Sequence, residues 1–340
     1  MYATTPKAVG FTGRPLGRYR FEIGIRLFTE RMVTTTLEGV FFDESTNETI
    51  RSALPETAIT FFEYITHLGD GAVLIVLATL LYWFGAESRR EQRTLVIAIG
   101  LGALAISAGM KGIFVRPRPE LSGGYGGYSF PSAHAMGAAT FYGALAVVAD
   151  TGTRLQRYVA AGSIIFLIAL SRIVIGVHFV GDVLVGVGIG LVFVAIVFRG
   201  KTAEPGSIFV LSGIIAILAF GLGSREFTTM TIGAALGATV SWQYVKSRPA
   251  QPRGAAILLL AYLCIPVILA VRALPVFWPD HALLDAVEIV GYAAVTGSIL
   301  VVPIVAERMN EWPPVEWLQQ RLPFSGRTID FNHAPFASED

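Results

Sequence analysis

Along this chain, long apolar runs alternate with short polar breaks. Crossing a bilayer takes about 20 predominantly apolar residues, and runs near that length recur from residue 70 to residue 305. The pattern predicts nine spans, near 70–86, 94–114, 133–149, 157–177, 180–198, 206–223, 228–245, 254–273 and 284–305, with 228–245 the weakest. Ahead of them, residues 1–54 are polar and mixed. A weak amphipathic helix fits Phe21–Phe42, but its charges forbid a span. Pro55–Leu68 is half-apolar and reads as an interfacial helix leading into the first span. The N-terminus lacks the short apolar core of a signal peptide. After Glu307, Trp312, Pro313, Pro314 and Trp317 read as an interfacial anchor before a flexible end. The predicted fold is an all-α, polytopic transmembrane helix bundle.

Composition agrees. The chain is 53% hydrophobic and only 15% charged, where a soluble domain carries about 25%. With a mean hydropathy of +0.60, it is a multi-pass membrane protein. The net charge of +1 says nothing about an acidic partner, and no basic block suggests nucleic acid, so none is expected as a partner. The lone Cys264, inside an apolar run, excludes a disulfide framework and a thiolate metal site.

The polar breaks carry an orientation. Arg89, Arg90 and Arg93 follow the first span; Arg154 and Arg157 the third; Arg199 and Lys201 the fifth. Lys246, Arg248 and Arg253 follow the seventh, and Arg308, Arg321 and Arg327 the ninth. The positive-inside rule puts these ends in the cytoplasm, in a cell-membrane protein. It leaves the N-terminal segment outside, a placement its arginines fit poorly. Gly181, Gly186, Gly188 and Gly190 lie inside a span with no strand–turn–helix context, so they predict close helix packing.

One outward break departs from the charge rule. From Lys111 it runs through Arg116-Pro117-Arg118-Pro119 and a Gly/Tyr-rich stretch to Phe130-Pro131-Ser132-Ala133-His134. Ser132 before an apolar run is also a helix start, whose free amides point at an anion. A second cluster, Ser171 to Asp182, sits between two apolar runs, where ionisable groups are costly and functional by default. Arg172 has the forked donors that suit phosphate. His178 is the side chain best suited to nucleophilic or proton chemistry near neutral pH. Asp182, four residues on, shares its face in a helix and can hold one imidazole N–H. His67 and Asp70, at the entrance to the first span, read first as an interfacial cap and second as lining of a site mouth. No metal-binding spacing such as HExxH is present. Cations, helix amides and two histidines therefore point to metal-free, cofactor-free phosphoryl transfer through a phosphohistidine.

These segments resemble the signature of the type 2 phosphatidic acid phosphatase (PAP2) superfamily, Lys-x6-Arg-Pro, Pro-Ser-Gly-His and Ser-Arg-x5-His-x3-Asp. Lys111 with Arg118-Pro119 matches the first, and Ser171-Arg172, His178 and Asp182 match the third. The second reads Pro131-Ser132-Ala133-His134, with alanine replacing glycine. The resemblance implies His178 as nucleophile, Asp182 as its orienting partner, and His134 as general acid and then base. It also implies a phosphate cradle of Lys111, Arg118, Ser132, Ala133 and Arg172, and gives Arg116 no role beyond a supporting or headgroup contact. The implied organisation is a polar N-terminal segment (1–57), a PAP2-like catalytic core (58–200), about four additional transmembrane helices (201–306) and a cytoplasmic tail (307–340). The expected activity is hydrolysis of a lipid phosphomonoester or diphosphate on the extracytoplasmic face, phosphatidic acid, phosphatidylglycerophosphate or a polyprenyl diphosphate being examples. Transfer to an alcohol acceptor is the alternative within the same chemistry. A lipid transporter built on a PAP2-like core is the alternative outside it.

Overall fold

The computed structural model describes residues 41–322, apart from 124, 200–202, 223, 225–226 and 279–282. All but the last two residues of the predicted Phe21–Phe42 helix, and the end of the tail, lie outside the described residues. Regular structure among the described residues is entirely helical. A short helix, α1 (Glu44–Ser52), precedes α2 (Glu56–Ile65), a 3-10 turn over Thr66–Gly69, and α3 (Gly71–Phe84). Then come α4 (Arg90–Phe114), α5 (Ala133–Val148), α6 (Arg154–Val174) and α7 (Val180–Arg199). They are followed by α8 (Pro205–Gly221), α9 (Thr228–Val245), α10 (Gly254–Phe277), α11 (Leu284–Arg308) and α12 (Pro313–Gln319).

A helix thus stands at each of the nine predicted spans, but they are not equivalent. Five, α4, α6, α7, α10 and α11, are long and apolar enough to cross a membrane alone. The interfacial helix α2 and the first span α3 form one broken element, bent by 50° at Asp70. The other three fall short of the expectation for physical reasons. With 16 residues, α5 extends only about 24 Å at the helical rise, less than the roughly 30 Å hydrocarbon core, and α8 is similar. In α9, Thr228, Thr229, Thr231, Thr239 and Ser241 dilute the apolar run.

Buried all round, α5 is the central helix, packing against α4, α6 and α7. Its apolar core joins Phe141 and Ala138 to Ile99, Ile168 and Val194. Two glycines set the closest approach. A Cβ on Gly186 would stand 2.8 Å from the Ser132 carbonyl oxygen, and one on Gly190 2.8 Å from that of Met136. The predicted small-residue packing therefore holds at Gly186 and Gly190. Gly188 faces open space, and Gly181 lies under the Phe42 ring.

The later helices form a second layer on the back of α4. There α8 packs on α4, α9 on α8, α11 on α9, and α10 on α11. Gly233 and Gly237 of α9, a Gly-x3-Gly pair, press against the α11 backbone at Ile289 and Ala293, the close contact such pairs permit. The layer is tied down from α3, where Tyr82 Oη donates to the Leu300 carbonyl at 2.9 Å and Trp83 Nε1 to that of Ile299 at 2.8 Å. At the opposite end from the histidines, Arg90 donates to the carbonyls of Val245 and Arg248 at 3.0 and 2.6 Å. The predicted bundle, a core with about four additional helices, is what the fold contains.

Candidate active site

The residues singled out in the sequence converge where α4 ends, α5 begins and α6 turns into α7. Lys111 sits in the last turn of α4 and is buried. The helix then stops at Val115, whose left-handed backbone (φ 50°) costs a non-glycine residue about 1–2 kcal/mol and turns the chain into Arg116-Pro117-Arg118-Pro119. Ser132 caps α5, its Oγ accepting from the Ala135 amide at 3.4 Å. The Ser132 amide donates to the Asp182 carbonyl at 3.0 Å, which locks the start of α5 to α7. Ala133 begins α5 with ordinary right-handed backbone, so its place requires no glycine. First-turn amides of such a helix have no intrahelical acceptor and are available to an anion.

His178 lies in the tight turn between α6 and α7, fully enclosed. Its Nδ1 is 3.3 Å from Asp182 Oδ2, and its Nε2 is 3.2 Å from Arg118 Nη1. A guanidinium has donors only, so Nε2 must present its lone pair and Nδ1 must carry the proton given to Asp182. Asp182 is itself held by the Phe179 amide at 3.0 Å. Burial, first, and then the charges of Arg172, Arg118 and Lys111 hold His178 well below the usual histidine range. The ring is neutral at neutral pH, with an unprotonated Nε2. Arg118 is further fixed by donating to the carbonyls of Val177 (3.0 Å) and Gly126 (3.1 Å).

Arg172, buried on α6, donates from Nη1 to Thr66 Oγ1 at 2.7 Å. Its Nε is buried without a hydrogen-bond partner among the described residues. At the start of α5, His134 Nε2 is 2.7 Å from Asp70 Oδ1. The structure thus brings together both histidines, Asp182, Lys111, Arg118, Arg172 and the α5 N-terminus.

Sequence reasoning passed over several supports. Asn47 of α1 is buried and donates from Nδ2 to the carbonyls of Ile173 (3.2 Å) and His178 (2.8 Å). Asp43 before Glu44 is a legible helix start, but nothing in the sequence tells where α1 docks. Arg116 stacks its guanidinium 3.8 Å from the Phe42 ring centre and 5.4 Å from that of Phe179, clamping the loop beside His178. Thr66 carried no signal. Asp70 read first as a cap, yet its side chain caps nothing on α3 and reaches His134 instead.

Comparison with known proteins places this arrangement. The family model of the PAP2 superfamily matches residues 91–204, which takes in all three motifs. Phosphatidylglycerophosphatase B of Bacillus subtilis (strain 168) is 31% identical over 140 residues, 37% of this chain and 67% of that protein. Among solved structures, the transmembrane PAP2 type phosphatidylglycerolphosphate phosphatase of Bacillus subtilis aligns with a TM-score of 0.45 at 24% identity, over 54% of this chain and 94% of that one. LpxE of Aquifex aeolicus aligns with a TM-score of 0.38 at 28% identity, over 49% and 100%. The chain belongs to the PAP2 superfamily, as a multi-pass membrane phosphatase of its lipid phosphatase branch.

Proposed function

We propose that the protein hydrolyses a lipid phosphomonoester or diphosphate through a phosphohistidine on His178, at the extracytoplasmic face. The observation that carries this reading is the pinned ring of His178, with Nδ1–H on Asp182 and the Nε2 lone pair beside Arg118.

The Nε2 lone pair attacks phosphorus while the bond from phosphorus to the lipid oxygen breaks in line. His134 gives its proton to that departing oxygen, and the phosphoryl group stays on Nε2. Lys111, Arg118, Arg172 and the α5 amides hold the three equatorial oxygens, and a phosphate oxygen gives the buried Arg172 Nε an acceptor. Water then attacks from the vacated side with His134 taking its proton. The phosphorus–nitrogen bond breaks, phosphate leaves, and Nε2 recovers its lone pair. Asp182, bonded to Nδ1–H, stabilises the positive charge on the phosphorylated ring.

The charge pattern supports this face. Arg89, Arg90, Arg154, Arg157, Lys246 and Arg248 lie at the ends of helices remote from the histidines, and Arg89 pairs there with Asp150 at 2.6 Å. In a Cys264→Ser background, a cysteine at exposed Gly126 should react with an impermeant thiol reagent in intact cells, and one at exposed Ser88 should not. Labelling at Ser88 alone moves the chemistry to the cytoplasmic side. The activity itself is tested by phosphate release from a panel of lipid phosphates. Wild type should release phosphate and His178→Ala should not. Appearance of the phosphoryl group on an added alcohol in place of free phosphate would make the protein a transferase.

A further inference from the structure

The bend between α2 and α3 is built as a bracket for the site. Thr66 Oγ1 accepts from Arg172 at 2.7 Å, the Leu68 carbonyl accepts from Tyr142 Oη of α5 at 3.0 Å, and Asp70 Oδ1 meets His134 Nε2 at 2.7 Å. The second Asp70 oxygen, Oδ2, is 2.7 Å from His67 Nδ1. Both imidazole contacts use carboxylate acceptors, so the protons lie on His134 Nε2 and His67 Nδ1. Side-chain exposure falls along this line, from 65% at His67 to 35% at Asp70 and 27% at His134. It is a continuous hydrogen-bonded path from solvent to the second histidine.

Asp70 occupies the N-cap position of α3. An aspartate there ordinarily turns its carboxylate onto the first-turn amides, for about 0.5–2 kcal/mol of helix stability. Asp70 makes no such bond, and both oxygens go to histidines. The charges of Arg172 and Lys111 also act on His134, so an imidazolium formed during turnover would feel two cations. Among the described residues, the Asp70 carboxylate is the negative side chain hydrogen-bonded to that ring.

We propose that Asp70 is a positioning residue for phosphoryl transfer. It holds His134 by Nε2, leaving Nδ1 to give and take the reaction's proton, and with His67 it forms the path by which that proton exchanges with solvent. This rests on the assignment of His134 as acid and base made above. No bond to phosphorus involves either residue. His134 enters the first step as imidazolium. Nδ1 gives its proton to the lipid oxygen and leaves a neutral ring with Nε2–H on Asp70. Nδ1 then regains a proton from the attacking water, and His67 exchanges any surplus with the medium.

The test uses the full-length protein in detergent and separates leaving groups. Protonation matters for a lipid alkoxide and little for p-nitrophenolate. Asp70→Asn should slow the first turnover on a lipid phosphate by about 10–100-fold, within the range of general acid help. The p-nitrophenol burst from p-nitrophenyl phosphate should stay within about threefold of wild type, since little acid assistance is required there. His67→Ala, at a side chain 65% exposed, should lower steady-state turnover of the lipid phosphate, and added imidazole buffer should restore it. Equal losses on both substrates in Asp70→Asn, or no loss on either, would overturn the proposal, as would a His67→Ala defect insensitive to imidazole. His178→Ala run alongside keeps the two readings apart. A phosphoenzyme in that variant refutes the proposed mechanism, whereas failure confined to Asp70 and His67 refutes only this inference.

Discussion

The turn that carries His178 is held from outside the motif by α1, where Arg51 donates to the Val174 carbonyl at 3.3 Å and Asn47 reaches the turn itself. Asn47 gives both Nδ2 hydrogens to the carbonyls of Ile173 and His178, at 3.2 and 2.8 Å. Its own Oδ1 is buried without a hydrogen-bond partner among the described residues. Asn47→Ala leaves the His178 carbonyl without its donor, at about 1–3 kcal/mol if α1 stays in place, while the Ile173 carbonyl keeps the Gly176 amide at 3.0 Å. Two effects pull the cost to the low end. Deleting the stranded Oδ1 returns part of it, and α1 can lift to admit water. A net loss of about 1 kcal/mol corresponds to roughly fivefold in the population of the aligned turn. The expected result is a fall of up to about that size in kcat, with a smaller change in KM because Lys111, Arg118 and Arg172 stand on other elements. Asn47→Asp is the sharper variant. It keeps the shape but sets an acceptor-only carboxylate against two carbonyls, so it should be more damaging than alanine. The assay is kcat and KM on a lipid phosphate together with a thermal melt in detergent. Activity in Asn47→Asp at or above that of Asn47→Ala would refute the reasoning, because Asn47 would then be acting through volume alone.

Other expectations follow from packing and charge. Gly190→Ala should destabilise the protein by separating α5 from α7, whereas Gly188→Ala, with open space at its Cβ, should stabilise it by up to about 1 kcal/mol of helix propensity; a detergent melt reads both. The depressed basicity of His178 means that its protonation limits kcat/KM only below the ordinary histidine range. Arg118→Ala, which removes one of the depressing charges, should move that acid limb upward. The same shift bears on stability: below the ordinary histidine value the unfolded chain binds a proton that the native state refuses. The His178 contribution to stability is therefore flat above that value and declines as pH falls beneath it. Activity should survive EDTA and be inhibited by orthovanadate, whose bipyramidal adduct resembles the transition state; loss on chelation with rescue by magnesium would contradict catalysis by cations and amides alone.

The apolar runs made the helices legible, because burying a backbone in lipid leaves few alternatives to a helix, and the motif residues meet at one end of the bundle. What the sequence concealed is tertiary. The hydroxyls of α9 marked 228–245 as the weakest span, but the sequence does not show that α5 and α9 are short or polar helices because neighbours cover them. The bend at Asp70 follows a residue suited to a helix cap, and only the fold reveals that its carboxylate turns away to His134. Asn47 sits in a polar segment 131 positions from the carbonyl of His178 that it holds, a pairing with no periodicity to betray it. Gly186 and Gly190 were readable as packing residues, but which of four glycines in α7 face α5 depended on its rotation.

The claim that His178 attacks and His134 only moves protons is tested most directly by trapping the intermediate. Each variant is mixed rapidly with p-nitrophenyl phosphate, quenched in alkaline detergent to preserve phosphohistidine, and mapped by mass spectrometry. His134→Ala should give a p-nitrophenol burst and accumulate phosphate on His178, because water lacks its base. His178→Ala should give neither burst nor phosphoenzyme. A phosphoenzyme in His178→Ala, or the absence of one in both variants with equal losses of activity, would contradict the assignment.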